Sequence, residues 1–264
     1  SVDFTDTYYK GGMVFVVRDE AAVAEKYGFF EGIAQSFYRT FVVENRYQLI
    51  LQGLGVTLLI SILAGVLGTV LGFLLCMLRR SRFRAVDRIT KAFVRLVQGT
   101  PVVVILMILY YIVFGKSSIH PVAVAVIGFA VNFAVYVSEM MKTGIDAVDK
   151  GQIEAANAMG FSRSQVFLKI VLPQATRHVL PVFQGEFISM IKMTSVVGYI
   201  AIQDLTKMSD IIRSRTFESF FPLISTALIY FLISYGLTAL MSVVELKIDP
   251  KRRKRVIKGV RCND

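Results

Sequence analysis

Apolar residues fall in five blocks along this chain, and the stretches between them are short, charged or rich in turn-forming residues. Residues 49–78 form the longest block, more than the roughly 20 residues that a helix needs to cross a bilayer core. It ends abruptly at Arg79-Arg80-Ser81-Arg82-Phe83-Arg84. From 85 to 98, apolar residues and Lys/Arg interleave at helical spacing, which predicts an amphipathic helix at the membrane interface. Residues 101–114, 120–141, 180–202 and 220–244 supply four further spans, the first of them short. The glycines at 53, 55, 65, 68 and 72 suit close helix packing in a bilayer. The pattern predicts an all-α, polytopic membrane protein with five transmembrane helices.

Two segments break that rhythm. Ahead of the first span, Phe29, Ile33, Phe37 and Phe41 recur every four residues, the stripe of a helix lying on the outer membrane surface or packed against another domain. Residues 14–17 read as a short strand with nothing to pair with. The second is a polar island, 151–173, between the third and fourth spans. Asp149-x-x-Gln152 and Ser162-x-x-Gln165 both have capping-box spacing, so two helices are expected to begin there. Gly160 is placed to end the first in a left-handed cap, and Pro173 to stop the second. Val166/Ile170 and Phe167/Val171 form apolar pairs on the second helix, while Ala155, Ala156 and Ala158 keep the first slim enough to enter a groove on a partner. A bare loop needs none of this; a helix–Gly–helix unit that transmits force does.

Composition agrees with the pattern. The 264 residues are 55% hydrophobic, with no Trp, and the mean hydropathy is +0.59. The net charge of +11 would raise nucleic-acid binding in a soluble protein. Here the cations flank apolar blocks, where they set topology, and nucleic acid is not an expected partner. The cluster after the first span and the tail at 251–255 both belong on the cytoplasmic side, which puts the N-terminus outside and the island inside. The tail also suits contact with anionic membrane lipids. Cys76, in an apolar block, and Cys262, in the tail, make neither a disulfide framework nor a metal site.

Candidate chemistry is sparse. The FGKS at 114–117 lacks the first glycine of a phosphate loop, which would fall at Tyr110, and it caps a span. His120 and His178 lie at opposite membrane faces, suited to solvated or capping roles. No nucleophile–base constellation exists, so the chain is not expected to be an enzyme. Polar residues inside spans carry more weight, because burying them is costly. Asn132, Tyr136 and Glu139 share one face of the third span, and Glu186, Ser189, Met190 and Met193 one face of the fourth, with Lys192 offset toward Ser189. They form either a substrate path or interhelical braces.

The stretch EAANAMGFSRSQVFLKIVLPQA, from Glu154, resembles the EAA loop of ABC-importer permeases. Glu154, Ala155, Ala156, Gly160, Leu172 and Pro173 fall on that motif. Gly151-Gln152 ahead of it, with GLGVTLLIS at 53–61, RLVQGTP at 95–101, SEM at 138–140 and GEFISMIKMTSVV at 185–197, is similar to the branch that takes up polar amino acids such as histidine, glutamine and arginine. The chain departs from the pattern at Gly185, where Asn is usual, and at Lys142-Thr143, where Arg-Gly is usual.

The resemblance implies a permease domain over 48–248 and a basic cytoplasmic tail over 249–264. It would sit in a bacterial plasma membrane, docked through this loop to a dimer of ATPase subunits that hold the ATP and magnesium. A second permease subunit, expected to be another copy of the chain, and an extracytoplasmic amino-acid-binding receptor would complete the importer. Residues 1–47 read as an extracytoplasmic segment, and VDFTDTYYKGGMVFVV resembles part of such a receptor. An ATP-independent secondary transporter or channel is the competing reading. It leaves the capped island unexplained, and no internal repeat of the kind common in that class is evident.

Overall fold

The computed structural model describes residues 29–81 and 83–248, and all of its regular elements are helical. The strand expected at 14–17, the receptor-like stretch, the basic tail and Cys262 lie outside the described residues.

Helix α1, Phe29–Phe37, continues through a wide turn, Tyr38–Val42, to α2, Tyr47–Arg79. Then come α3, Arg84–Gln98, and α4, Val102–Met107, which runs on as a π-helical turn to Val113. Helix α5 covers Pro121–Asp146, and the island forms α6, Lys150–Ala158, and α7, Arg163–Val166. Helix α8 spans Leu172–Met193, α9 Leu205–Thr216 and α10 Phe220–Ile248. By length and composition α2, α5 and α10 can each cross a membrane alone. The count reaches five when two bent pairs are each taken as one span: α3 with α4, at 104°, and the run from Arg163 to Ile200 with α9, at 55°.

Helix α5 is the centre of the bundle, packed against α2 on one side and α8 on the other. Two thirds (67%) of its apolar window is buried, against 33% for α2. Because lipid is as apolar as leucine, such helices associate through close fit. The fit is visible at Gly72 on α2, where a Cβ would lie 2.5 Å from that of Val137 and 2.7 Å from the Ala134 carbonyl oxygen. Gly53, Gly65 and Gly68 are crowded in the same way, whereas Gly55 faces open space. Phe133 of α5 meets Phe183 and Phe187 of α8 with ring centroids 5.5 and 6.0 Å apart.

Two local expectations change. Pro173 does not stop the island's second helix. The widened turn Phe167–Val171 lets the Leu172 amide reach the Phe167 carbonyl, and Pro173 then sits in the first turn of α8, where its missing donor costs little. Residues 205–216, for which no helix was expected, form α9, whose Leu205, Met208, Ser209 and Ile212 are buried. The Asp204 side chain caps it, accepting from the Thr206 amide at 3.2 Å and from the Lys207 amide at 3.0 Å. The stripe ahead of the first span touches the bundle only at its end: the ring centroids of Phe37 and Phe221 of α10 are 5.7 Å apart and Phe41, in the turn after α1, packs on the cluster of Ile50, Leu205 and Ile212, while Ile33 stays exposed.

Candidate functional site: the island helix and the cavity beside it

Helix α6 begins at Asp149, whose carboxylate accepts from the Gly151 amide at 2.9 Å. The reciprocal half of the expected capping box is missing, because Gln152 points elsewhere. Its Oε1 accepts from Gln174 Nε2 at 2.7 Å, and that same nitrogen donates to the Ile170 carbonyl at 3.1 Å. Helix α6 is thereby fastened side chain to side chain onto the first turn of α8. Its far end is a complete Schellman cap. The Phe161 amide donates to the Ala156 carbonyl at 3.1 Å, and the Gly160 amide to that of Asn157 at 3.0 Å. Gly160 itself adopts the left-handed conformation that this cap requires. At Ser162 the capping box closes as expected. The Gln165 amide donates to Ser162 Oγ at 3.3 Å. The Ser162 amide donates to Gln165 Oε1 at 2.8 Å.

The island rests on an apolar cluster of its own. Val166, Val171, Ala175, Ile145, Val148 and Cys76 are buried together with Ala156, which is fully enclosed. Of the three alanines expected to face a partner, Ala156 therefore faces inward, since the chain's own core needs a small residue there; Ala155 and Ala158 remain exposed. Gly151, Gln152, Glu154 and Gly160 are exposed beside them, Leu172 is half-buried and Pro173 exposed. Sequence reasoning overlooked Met159, 70% exposed at the loop's tip. A large apolar residue in a glycine-capped turn was the available signal.

Helix α8 carries this platform into the bundle. Between α5 and α8 opens a cavity of about 440 Å³, lined by Tyr136, Glu139 and Thr143 on one side and His178, Val182 and Glu186 on the other. The expected Tyr136, Glu139 and Glu186 are brought together here. Asn132 is buried in the bundle but not among the lining residues, and Lys192 is exposed near the other end of α8. The histidines separate: His120 caps α5, its Nδ1 accepting from the Val122 amide at 3.2 Å, while His178 faces the cavity. The Met190 side of α8 belongs to the core instead.

Glu139 has a partner that the sequence did not reveal. Arg79 Nη1, on the last turn of α2, stands 2.8 Å from Glu139 Oε1, with the Arg79 side chain 8% exposed and that of Glu139 39%. Next to it, Arg80 pairs with Asp146 at 2.7 Å and Lys142 with the same carboxylate at 2.8 Å. The end of α2 is thus clamped to α5 beside the island. Among the described residues Glu186 has no ion-pair partner, and no cluster of His, Cys, Asp and Glu suited to a metal occurs.

A helical bundle with a doubly capped loop beside an interhelical cavity agrees with the resemblance of the sequence to importer permeases, and comparison supports it. Residues 58–250 match the family described as binding-protein-dependent transport system inner membrane component. The chain belongs to that family. It is 33% identical over 204 residues to the arginine transport system permease protein ArtQ of Bacillus subtilis, covering 75% of this chain and 92% of that protein. It is 31% identical over 217 residues to the octopine transport system permease protein OccM of Rhizobium radiobacter, covering 77% and 87%. Among solved structures, an amino acid ABC transporter crystallised with histidines aligns with a TM-score of 0.71 at 32% identity, over 78% of this chain and 98% of that one. The inward-facing MetNI methionine transporter shares the fold, with a TM-score of 0.65 at 20% identity, over 77% of this chain and 97% of that one. The chain is the transmembrane permease subunit of an ATP-driven importer. It works with a partner ATPase, a second permease subunit and a substrate-binding protein, and ATP hydrolysis belongs to the partner.

Proposed function

We propose that this permease moves a polar amino acid across a bacterial inner membrane, and that helix α6 passes the ATPase stroke to the wall of the α5–α8 cavity. The observation that carries this reading is the Gln174–Gln152 hydrogen bond, which fastens α6 to the helix bearing His178, Val182 and Glu186. Gly151, Glu154, Ala155 and Met159 offer an exposed docking face for the ATPase, while Ala156 holds that face to the bundle and Leu172 and Pro173 start the helix that carries the motion onward. Gln152 serves the link, and Gly160 sets the turn.

An amino acid carries an ammonium and a carboxylate, and its path through hydrocarbon needs polar groups at close range. Glu186 and Tyr136 supply them, with Glu139 shared between the cavity and Arg79. Asn132 and Lys192 act from outside the cavity, as a buried polar contact and an entry charge. ATP and magnesium sit on the ATPase, and the second permease subunit is another copy of this chain. The N-terminus lies outside, where the amino-acid-binding receptor docks. The island, Arg79, Arg80 and the basic tail lie in the cytoplasm.

Uptake of radiolabelled arginine, glutamine and histidine into vesicles holding the permease, its ATPase and a receptor tests this. Accumulation is expected to require ATP on the island side and to survive an ionophore. Accumulation that collapses with the ion gradient and ignores ATP contradicts it.

A further inference from the structure

Helix α3 carries three different stripes, each repeating at steps of three and four. Thr90, Val94 and Val97 are buried; the two valines pack against Val135 of α5 and its neighbours. One position back, Ile89, Phe93 and Leu96 are exposed, at 70, 38 and 69%. Arg84, Arg88, Lys91 and Arg95 form a third stripe, also exposed. Lys91 is paired with Asp87 at 2.8 Å, but among the described residues no carboxylate reaches Arg84, Arg88 or Arg95. The helix is bent by 104° from the segment Val102–Val113 that follows it, an angle that suits a helix lying along the interface. It also follows directly on the α2 end that holds Arg79 and Arg80.

We propose that α3 is a binding surface for anionic phospholipid, with Ile89, Phe93 and Leu96 among the acyl chains and Arg84, Arg88 and Arg95 on the headgroups. An apolar stripe bordered by unpaired cations matches a lipid surface at two levels at once, hydrocarbon below and phosphate above. A second copy docked twofold through this face would set one cationic stripe against another, and like charges at close range repel. The surface is distinct from the cavity and from the island.

The chain has no tryptophan, so Phe93→Trp places a sole indole on the exposed stripe. The full chain is reconstituted in vesicles of equal phosphatidylglycerol and phosphatidylcholine, with one or the other brominated. Each cation near an anionic surface favours it on the order of fivefold, so brominated phosphatidylglycerol is expected to quench several times more strongly. Adding R84Q, R88Q and R95Q should bring the two lipids to equal quenching while the indole stays quenched. If the triple variant fails to insert, the single Arg88→Gln variant should show a partial loss of preference. Equal quenching by both lipids in the parent, a preference that survives charge removal, or no quenching by either lipid overturns the proposal, the last meaning that protein covers the stripe. Leu96→Trp repeats the readout if Phe93→Trp does not fold.

Discussion

Gln174 on the first turn of α8 donates its side-chain amide to the Gln152 side-chain oxygen on α6 at 2.7 Å, across 22 residues of sequence. Both groups are on the exposed side of the joint, where a neutral hydrogen bond contributes only about 0.5–1.5 kcal/mol net. Its importance is mechanical, because it adds a directional tie to the apolar cluster that Ala156 of α6 and Ala175 of α8 already share. Gln152→Ala and Gln174→Ala should each lower the number of substrate molecules moved per ATP hydrolysed, with little loss of protein. The double variant should be no worse than either single one, as expected for two residues acting through one contact. Additive losses in the transport-to-hydrolysis ratio would show that they act separately.

Gly160 sits at φ +83° with nothing within 4 Å of where a Cβ would be. A substitution there meets backbone strain alone, roughly 1–3 kcal/mol for a residue other than glycine, and worst for a β-branched one. Gly160→Val is expected to abolish stimulated ATP hydrolysis and uptake together while the protein still inserts. Gly160→Asn, which tolerates the left-handed region, should retain most of both. Equal activity in the valine and asparagine variants would remove the turn from the coupling path.

The glycines of α2 separate packing from propensity. Gly72→Ala drives a methyl to within 2.5 Å of the Val137 Cβ and should lower thermal stability in detergent by about 1–3 kcal/mol through overpacking. Gly55→Ala meets open space and should be neutral or stabilising by up to about 1 kcal/mol, since alanine favours helix over glycine. Denaturation followed by a thiol-reactive dye at buried Cys76, in a Cys262→Ser background, reports both.

Glu139 and Glu186 face the same cavity but differ in their partners. Glu139→Gln leaves the buried Arg79 guanidinium without its counterion. Removing one partner of a fully buried pair costs about 3–5 kcal/mol; because Glu139 is 39% exposed, roughly 1–3 kcal/mol is expected once solvent screening is allowed for. Glu186 has no such partner among the described residues, so Glu186→Gln should leave stability unchanged and shift uptake away from cationic toward neutral amino acids. Uptake per folded dimer, measured for arginine and glutamine, distinguishes a binding group from a brace. Unchanged selectivity in Glu186→Gln would assign it to the bundle's structure.

Much of the island was legible in advance because its signals are local. Gly160, Ser162 and Gln165 announce their roles within a short run of chain, and the structure realises each. Pro173 misled because the remedy for its missing donor is a widened turn just upstream, which no spacing rule shows. Helix α9 was hidden by Lys207, Asp210 and Arg213, which pair with one another on its exposed face and read as loop. Its buried face becomes meaningful only once Gly53 admits the Asp204–Leu205 backbone and Thr57 Oγ1 accepts the Leu205 amide at 3.2 Å. The Arg79–Glu139 pair is likewise a product of packing, since α2 and α5 bring to 2.8 Å two charges that lie far apart in sequence.

If α6 and α8 move as one body and reshape the cavity against α5, two distances must behave differently when the ATPases close. Spin labels at Ala155 and Val182 span the joint, and labels at Thr143 and Val182 span the cavity; all three positions are exposed. Cys76→Ala and Cys262→Ser remove the native thiols. Distances measured in the assembled transporter, without nucleotide and with ATP trapped, should show the first pair unchanged and the second displaced. A change between Ala155 and Val182, with the Thr143–Val182 distance constant, would contradict the account.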